Sequence, residues 1–238
     1  MLNILFYVLG VILVIVLIAV MVVLSVNFRF QQLKNDRYSW QERFAFVSWV
    51  VSWAIPLLIN VKVEVEGLEN LDEVENGVIY ANHQSNMDIV TMIKVIKRPH
   101  GYVAKKELEN IFLLSDGMRL IRCEFMDRSD VRQSVKVISS AAKSVKEGHL
   151  MVIFPEGTRM VNGELGSFKA GSFKLAQKAK ADIIPVTIFN SHEVAKRWPR
   201  RTVVKMMIHE PIKYETYESI STNDLCEQVE QIVKNPLK

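Results

Sequence analysis

The chain has 238 residues, of which 49% are hydrophobic and 24% charged, so its length allows one ordinary domain with additional segments. This apolar content excludes disorder as the main state, and the 10 Gly and 7 Pro residues exclude collagen-like and low-complexity classes. The two cysteines are too few for a disulfide scaffold, which favours a reducing compartment, and they form no CxxC pair, which argues against metal and redox motifs. A net charge of +4 suits an anionic surface or ligand better than nucleic acid, so we expect no nucleic-acid partner.

The apolar excess lies at the N-terminus, where residues 4–26 include no charged side chain. A helix of this length spans about 34 Å, which is enough to cross a hydrocarbon core of about 30 Å. We therefore predict a transmembrane helix over residues 1–27. A secretory signal peptide is the alternative, but such a peptide has a basic residue before the apolar run and a small-residue cleavage site after it. Arg29, Lys34 and Arg37 follow the run, and the positive-inside rule then places the rest of the chain in the cytoplasm.

A second apolar stretch contains Trp49 and Trp53 but is too short for an ordinary membrane span. Because tryptophan prefers the boundary between lipid and water, we predict an interfacial helix over residues 41–59. A core helix of the following domain is the alternative. Residues 1–59 are thus predicted to be a membrane-anchoring helix pair at the cell membrane, and residues 60–238 a separate domain.

Residues 60–238 alternate short apolar strands with helices, which predicts one α/β domain. Strands are predicted at residues 61–67, 78–81, 101–104, 149–154, 183–189 and 203–208. Helices are predicted at residues 89–96, 106–114, 131–146, 167–180 and 225–233.

The first candidate site is the segment Asn82-His-Gln-Ser-Asn-Met-Asp88, which follows a predicted strand and precedes a helix. A histidine base needs a carboxylate to hold its tautomer, and a turn at the start of a helix brings His83 and Asp88 together. A histidine that bonds only to a nearby backbone group is the alternative.

The second candidate is Phe154-Pro-Glu-Gly-Thr-Arg159, directly after an apolar strand. Gly157 allows close backbone approach, Thr158 adds a hydroxyl group, and the Arg159 guanidinium matches phosphate oxygens. These residues predict an anion pocket at a strand end, where ligands of α/β proteins bind. The alternative is a turn with Arg159 in solvent. Arg128 is a further candidate for a phosphate contact, with a solvated charge cluster as the alternative.

Three more segments carry candidate anion-binding residues. Lys169 lies in the segment Phe168–Ala176, which opens a predicted helix, and the start of a helix attracts anions. Residues 196–201 join four cations to Trp198, a composition that suits anionic headgroups. A looser basic group, from which we include Lys105 among the predicted substrate-binding residues, comprises Lys94, Lys97, Arg98, Lys105 and Lys106. Helix packing through Ala170 and Gly171 is the alternative for the first segment, and solvated surface charge is the alternative for the other two groups.

Taken in order and spacing, these motifs resemble those of the 1-acyl-sn-glycerol-3-phosphate acyltransferases, within the wider glycerolipid acyltransferase family. The resemblance covers about residues 60–200. It rests on five segments: NHQSNMD at 82–88, FMDR at 125–128, FPEGTR at 154–159, FKAGSFKLA at 168–176 and Ile-Pro-Val at 184–186. It implies a mixed sheet flanked by helices and preceded by membrane helices.

The resemblance also implies a reaction. An acyl group passes from acyl-CoA or acyl-carrier protein to the sn-2 hydroxyl of 1-acyl-sn-glycerol-3-phosphate, giving phosphatidic acid in phospholipid synthesis. His83 acts as general base and Asp88 orients it, and the substrate hydroxyl takes the place of a protein nucleophile. No cofactor or metal is expected, because the thioester is a co-substrate. Membrane lipid is the further expected partner.

The family pattern assigns the acceptor phosphate to Arg159, assisted by Arg128, Gly157 and Thr158. Glu156 is assigned to acceptor binding by analogy, with a structural pairing to a nearby arginine as the alternative.

Two other functions stay open. The same chemistry on another lysolipid or on glycerol-3-phosphate is one, and a non-catalytic, membrane-tethered phospholipid binder is the other. A hydrolase is least compatible with the sequence, which has no G-x-S-x-G motif.

Overall fold

The structure, a computed structural model, describes residues 2–58 and 60–237, so residues 1, 59 and 238 of the predicted segments lie outside it. The α-helices in the described ranges are α1 Leu2–Leu33, α2 Trp40–Leu58, α3 Met87–Val95, α4 Leu114–Leu120, α5 Val131–Lys146, α6 Lys174–Ala179, α7 Glu193–Arg197, α8 Tyr214–Tyr217 and α9 Thr222–Lys234. The strands are β1 Val61–Glu66, β2 Gly77–Ala81, β3 His100–Lys105, β4 Glu124–Met126, β5 Leu150–Ile153, β6 Asp182–Phe189 and β7 Thr202–Ile208.

The strands form one mixed sheet in the order β1-β7-β6-β2-β5-β3-β4. The five strands from β6 to β4 are parallel to one another, whereas β7 is antiparallel to β6 and carries β1 parallel to itself. The carboxyl ends of β2, β3, β4, β5 and β6 therefore meet at one edge of the sheet. This arrangement confirms the predicted α/β class with a mixed sheet flanked by helices.

The central strands are buried on both faces because alternate side chains enter two different cores. Ile79 of β2 lies in one core, together with residues of α2, α3 and α4. Its neighbours Val78 and Tyr80 lie in the other core, with residues of α5, α6 and α9. Edge strand β1 alternates between partly buried and exposed residues, as its sequence predicts.

The N-terminal helix α1 has an exposed apolar surface along most of its length, and its 31 residues from Asn3 to Leu33 meet the length and composition of a membrane span. Only its last turns enter the domain, where Phe30 and Leu33 are buried in the first core. This helix indicates membrane anchoring.

Helix α2 combines features of both sequence interpretations. Phe44 and Val47 are buried in the first core, whereas Trp49 and Trp53 are exposed on another side of the helix. The helix thus packs on the α/β domain and still presents tryptophans outward. The division of the chain at residue 60 stays a prediction.

The region after β3 differs from the sequence prediction. The helix predicted over residues 106–114 is wrong, because Lys106–Asn110 form a 3-10 turn and a separate helix, α4, begins only at Leu114. Leu113 has a positive φ of 65°, which interrupts any continuous helix. The helix predicted over residues 167–180 is also shorter, with a 3-10 turn at Ala170–Phe173 before α6.

Candidate active site

The candidate residues come together because their loops all follow parallel strands that end at one edge of the sheet. The 82–88 loop follows β2, the 154–159 turn follows the adjacent strand β5, and Ser191 follows β6 on the other side. Asn82 fixes the end of β2, since its side-chain amide exchanges two hydrogen bonds with the backbone of Ile188 in β6, at 2.7 and 2.9 Å. The chain then turns into α3.

His83 and Asp88 form a hydrogen-bonded pair across this turn. Nδ1 of His83 donates to Oδ2 of Asp88 at 2.7 Å, and Asp88 is fully buried in the first turn of α3. The His83 ring stacks on Phe154 with 4.0 Å between ring centroids and 16° between their planes. In the described ranges no residue makes a hydrogen bond to Nε2 of His83. That nitrogen is therefore available to take a proton from a hydroxyl group, as in a His–Asp catalytic pair.

The buried carboxylate of Asp88 has three further hydrogen-bond donors. The backbone N–H groups of Gln84 and Ser85 donate to Oδ2 at 2.7 and 2.9 Å, and the hydroxyl of buried Ser191 donates to Oδ1. Four donors in all compensate for removing a carboxylate from water. They also fix the carboxylate against His83. Ser191 belongs to none of the candidate motifs in the sequence, and its position just after the predicted strand 183–189 indicates the edge of the sheet but not its partner.

Glu156 lies behind this pair and is only 4% exposed. Neither carboxylate oxygen has a hydrogen-bond partner among the described residues, so the proposed pairing with an arginine does not occur there. Burial raises the pKa of Glu156 to about 8, and the backbone N–H groups of His83 and Gly166, which lie near the carboxyl group without normal hydrogen-bond geometry, lower it only in part. This shift favours the protonated form of the Glu156 carboxyl group at neutral pH. Its assignment to acceptor binding stays a prediction.

Arg159 reaches back to the first loop. Its Nη1 donates to Oδ1 of Asn86 at 3.0 Å, so the guanidinium is held beside the loop that carries His83. The two loops also join through their backbones, where the N–H of Met160 donates to the carbonyl of His83 at 2.7 Å. Thr158 is exposed in the same turn.

Lys169 provides a second cation at this turn. Gly157 has a φ of +75°, and a Cβ atom built on it would lie only 2.8 Å from Nζ of Lys169. The left-handed backbone favours glycine here, and the absence of a side chain leaves room for the flexible end of Lys169. Within the described ranges the exposed Lys169 has no acidic partner, so its ammonium group is free to bind an anion.

Lys105 and Arg128 lie at the same edge but farther along it. Neighbouring strands are about 4.8 Å apart, which places Lys105 on β3 about 10 Å and Arg128 after β4 about 14 Å from β2. Lys105 is paired with Glu107 at 2.7 Å. Arg128 is exposed and makes no ion pair with any residue that the structure describes. The structure thus brings His83, Asp88 and Arg159 together and leaves these two cations on the flank.

In residues 2–58 and 60–237 no group of three or more His, Cys, Asp or Glu side chains is placed to hold a metal ion. The two cysteines, Cys123 and Cys226, are buried and free, and burial raises the pKa of their thiols to about 12 and about 11. A protonated buried thiol is a poor nucleophile.

Comparison with known proteins agrees with this geometry. A family model described as Acyltransferase matches residues 62–189, more than half of the chain. A probable 1-acyl-sn-glycerol-3-phosphate acyltransferase of Mycoplasma pneumoniae is 29% identical over 209 residues, which cover 82% of this chain and 77% of that protein. A 1-acyl-sn-glycerol-3-phosphate acyltransferase of Saccharomyces cerevisiae is 30% identical over 190 residues, which cover 76% of this chain and 62% of that protein.

A solved structure shares the fold. The crystal structure of the 1-acyl-sn-glycerophosphate (LPA) acyltransferase PlsC from Thermotoga maritima matches with a TM-score of 0.70 and 28% sequence identity. The match covers 90% of this chain and 86% of that one, and so includes most of the N-terminal region. Family model, relatives and fold agree with the resemblance inferred from the motifs, and the chain belongs to the acyltransferase family of enzymes.

Proposed function

We propose that this enzyme transfers an acyl group from acyl-CoA or acyl-carrier protein to the sn-2 hydroxyl of 1-acyl-sn-glycerol-3-phosphate, giving phosphatidic acid. The names of the relatives supply the acceptor, because those proteins are called 1-acyl-sn-glycerol-3-phosphate acyltransferases. The observation that carries the proposal is the 2.7 Å hydrogen bond between His83 and Asp88. The same sheet edge also carries Lys169 and Arg128, which make no ion pair with any residue that the structure describes.

In this mechanism Nε2 of His83 removes the proton of the acceptor hydroxyl as that oxygen attacks the thioester carbonyl. A C–O bond forms and the carbonyl oxygen becomes negative. When the tetrahedral intermediate collapses, the C–S bond breaks and the leaving thiolate receives the proton from His83. Asp88 stabilises the imidazolium that exists between these two proton transfers. No protein nucleophile or cofactor takes part.

The acceptor phosphate would bind at the turn after β5. Arg159 presents a planar donor group there, with Gly157 and Thr158 on the same turn, and a guanidinium binds phosphate oxygens bidentately. Arg128 would assist from its unpaired position after β4, and Lys105 would contribute positive charge between them once it separates from Glu107.

The lipid substrate and the lipid product both remain in a bilayer. The apolar helix α1 would hold the enzyme at that bilayer. The basic residues Arg29, Lys34 and Arg37 follow the apolar run, and the positive-inside rule then places the catalytic domain on the cytoplasmic side of the cell membrane. There the site meets the lipid at the membrane and the thioester in solution.

The test is an acyl-transfer assay on membranes that contain the wild-type protein or the His83→Ala variant. Each is given 1-acyl-sn-glycerol-3-phosphate with labelled acyl-CoA, and in parallel with acyl-carrier protein. We expect phosphatidic acid from the wild type with at least one donor and none from the variant. His149→Ala is the matched control, because the His149 side chain has 14% exposure against 13% for His83 but precedes β5, at the opposite edge.

Equal product from wild type and His83→Ala would reject His83 as the base. Absence of product from the wild type with both donors would reject this acceptor. A wild type that binds the lipid without any acyl transfer, and whose binding is unchanged in His83→Ala, would favour a phospholipid binder instead.

A further inference from the structure

The turn at residues 111–114, between β3 and α4, exposes three large apolar side chains. Ile111 is 45% exposed, Phe112 69% and Leu114 46%. We call these four residues the apolar turn. Exposed apolar side chains that adjoin one another in this way form a patch of the kind that serves as a contact surface, unlike apolar residues scattered singly.

The backbone of the apolar turn is fixed. The N–H of Leu114 donates to the carbonyl of Phe112 at 2.7 Å, and that of Ser115 donates to the carbonyl of Ile111 at 2.9 Å. Leu113 packs against the first core with a positive φ of 65°, a conformation that is uncommon for leucine. Leu113 thus lies inward between exposed neighbours, and backbone strain of this kind is concentrated at functional segments.

The apolar turn lies beside the end of α1. Nζ of Lys34 contacts Asp116 at 2.8 Å, and a Cβ atom on Gly117 would lie 3.2 Å from the Phe30 ring. Along α4, Leu114 lies three residues before Gly117, a rise of about 4.5 Å. Along α1, Phe30 lies four residues after the end of the uncharged run, a rise of about 6 Å. A bilayer that receives α1 therefore has its surface near the level of the apolar turn.

A row of aromatic rings connects Phe30, near the end of α1, to helix α2. Phe30 lies against Phe46 at 5.7 Å between centroids, Phe46 against Trp49 at 5.7 Å, and Trp49 against Trp53 at 6.4 Å. Both tryptophans are exposed, and tryptophan is enriched where lipid meets water. The apolar surface of α1, this row and the apolar turn meet around Phe30.

We propose that the apolar turn is a third membrane contact, which inserts into the boundary between headgroups and acyl chains of the bilayer that receives α1. A lipid surface is the occupant that this arrangement favours, because one bilayer covers the apolar run of α1 and the adjoining turn at the same time. The turn follows β3, whose carboxyl end lies at the same edge as the His83 loop. The contact therefore holds this edge of the sheet, including the 154–159 turn that carries Arg159, close to the lipid surface.

The test places a fluorescent reporter on the turn in the full-length protein. Phe112→Cys and, separately, Leu114→Cys are labelled with a thiol-reactive, environment-sensitive dye; the native Cys123 and Cys226 are buried. Val135→Cys is the matched control, since Val135 is a similarly exposed apolar residue on α5, over the opposite face of the sheet. Each protein is reconstituted into phosphatidylcholine vesicles with phosphatidylglycerol, with or without a phospholipid that carries a nitroxide quencher just below its headgroup.

We expect the quencher lipid to remove most of the emission at positions 112 and 114 and little at position 135. Quenching at 112 and 114 no stronger than at 135 would overturn the proposal. A blue-shifted emission that the quencher lipid leaves unchanged would also overturn it, because a protein partner or a second copy then covers the turn. This measurement needs no acyl transfer, so its result is independent of the proposed reaction.

Discussion

The hydroxyl of Ser191 donates a hydrogen bond to the Asp88 carboxylate, although the two residues are 103 positions apart in the chain. Ser191 follows β6, and Asp88 follows the neighbouring strand β2, so the parallel pairing of these strands brings them together. The hydroxyl bonds to Oδ1, while His83 uses Oδ2. Ser191 is thus a positioning residue that fixes the carboxylate from the side opposite to the histidine.

Replacing Ser191 with Ala is expected to lower kcat by about tenfold and to leave the KM for the lipid acceptor nearly unchanged. The lost hydrogen bond to a buried charged group is worth about 1–3 kcal/mol, and it acts on the base rather than on the bound acceptor. Steady-state kinetics of Ser191→Ala against Ser219→Ala, an exposed serine between α8 and α9, measures the effect. A change in KM alone would contradict this role.

Replacing Arg159 with Lys is expected to raise the KM for the phosphate-bearing acceptor by about tenfold, with a smaller change in kcat. Lysine keeps the charge but loses the planar donor pair that binds phosphate bidentately and that also reaches Asn86. Arg132→Lys on the exposed surface of α5 is the control. An unchanged KM in Arg159→Lys would show that the guanidinium does not hold the phosphate.

Replacing Lys169 with Ala is expected to raise the same KM by about two- to fivefold. Its exposed ammonium group lies against Gly157, and an exposed charge pair is worth up to about 1 kcal/mol. Lys174→Ala removes another exposed lysine five positions along the chain and should leave the KM unchanged. Because the contact is between exposed charges, added salt should reduce the difference between Lys169→Ala and the wild type. A salt-independent difference would argue against an electrostatic role.

Local sequence patterns predicted every strand except the short edge strand β4, together with the α/β class and the pairing of His83 with Asp88. These features depend on short-range information: apolar runs bounded by turns, and two side chains at the start of one helix. The motif of Arg159 directly follows a strand, which predicted its place at this edge of the sheet, and its role in phosphate binding stays a prediction. The family resemblance of the motifs is confirmed by the match to the family model.

Features that depend on tertiary contacts were not predicted. Ser191 has no local signature, because its partner is set by the pairing of β2 with β6. Glu156 was expected at the acceptor, and nothing in its motif indicates that the carboxyl group is buried without a partner. The break before α4 arises at Leu113, a residue that favours helix by propensity, and only its packing against the core imposes the positive φ.

The free energy of unfolding is expected to depend on the proton of Glu156. Burial raises the pKa of its carboxyl group from 4.5 to about 8, so the folded protein keeps a proton that the unfolded chain releases near pH 4.5. Between these two values the folded state binds more protons, and stability falls as the pH rises, by at most about 1.4 kcal/mol per pH unit.

Glutamine has nearly the same shape and does not titrate, so the thermal midpoint of Glu156→Gln should match that of the wild type near about pH 5 and exceed it increasingly toward pH 8. Thermal unfolding in detergent across this pH range measures the difference between the two thermal midpoints. Glu164→Gln, which replaces an exposed glutamate in a loop, is the control for lost charge. If the thermal midpoints of Glu156→Gln and wild type differed by the same amount at every pH, the carboxyl group would not titrate in this window.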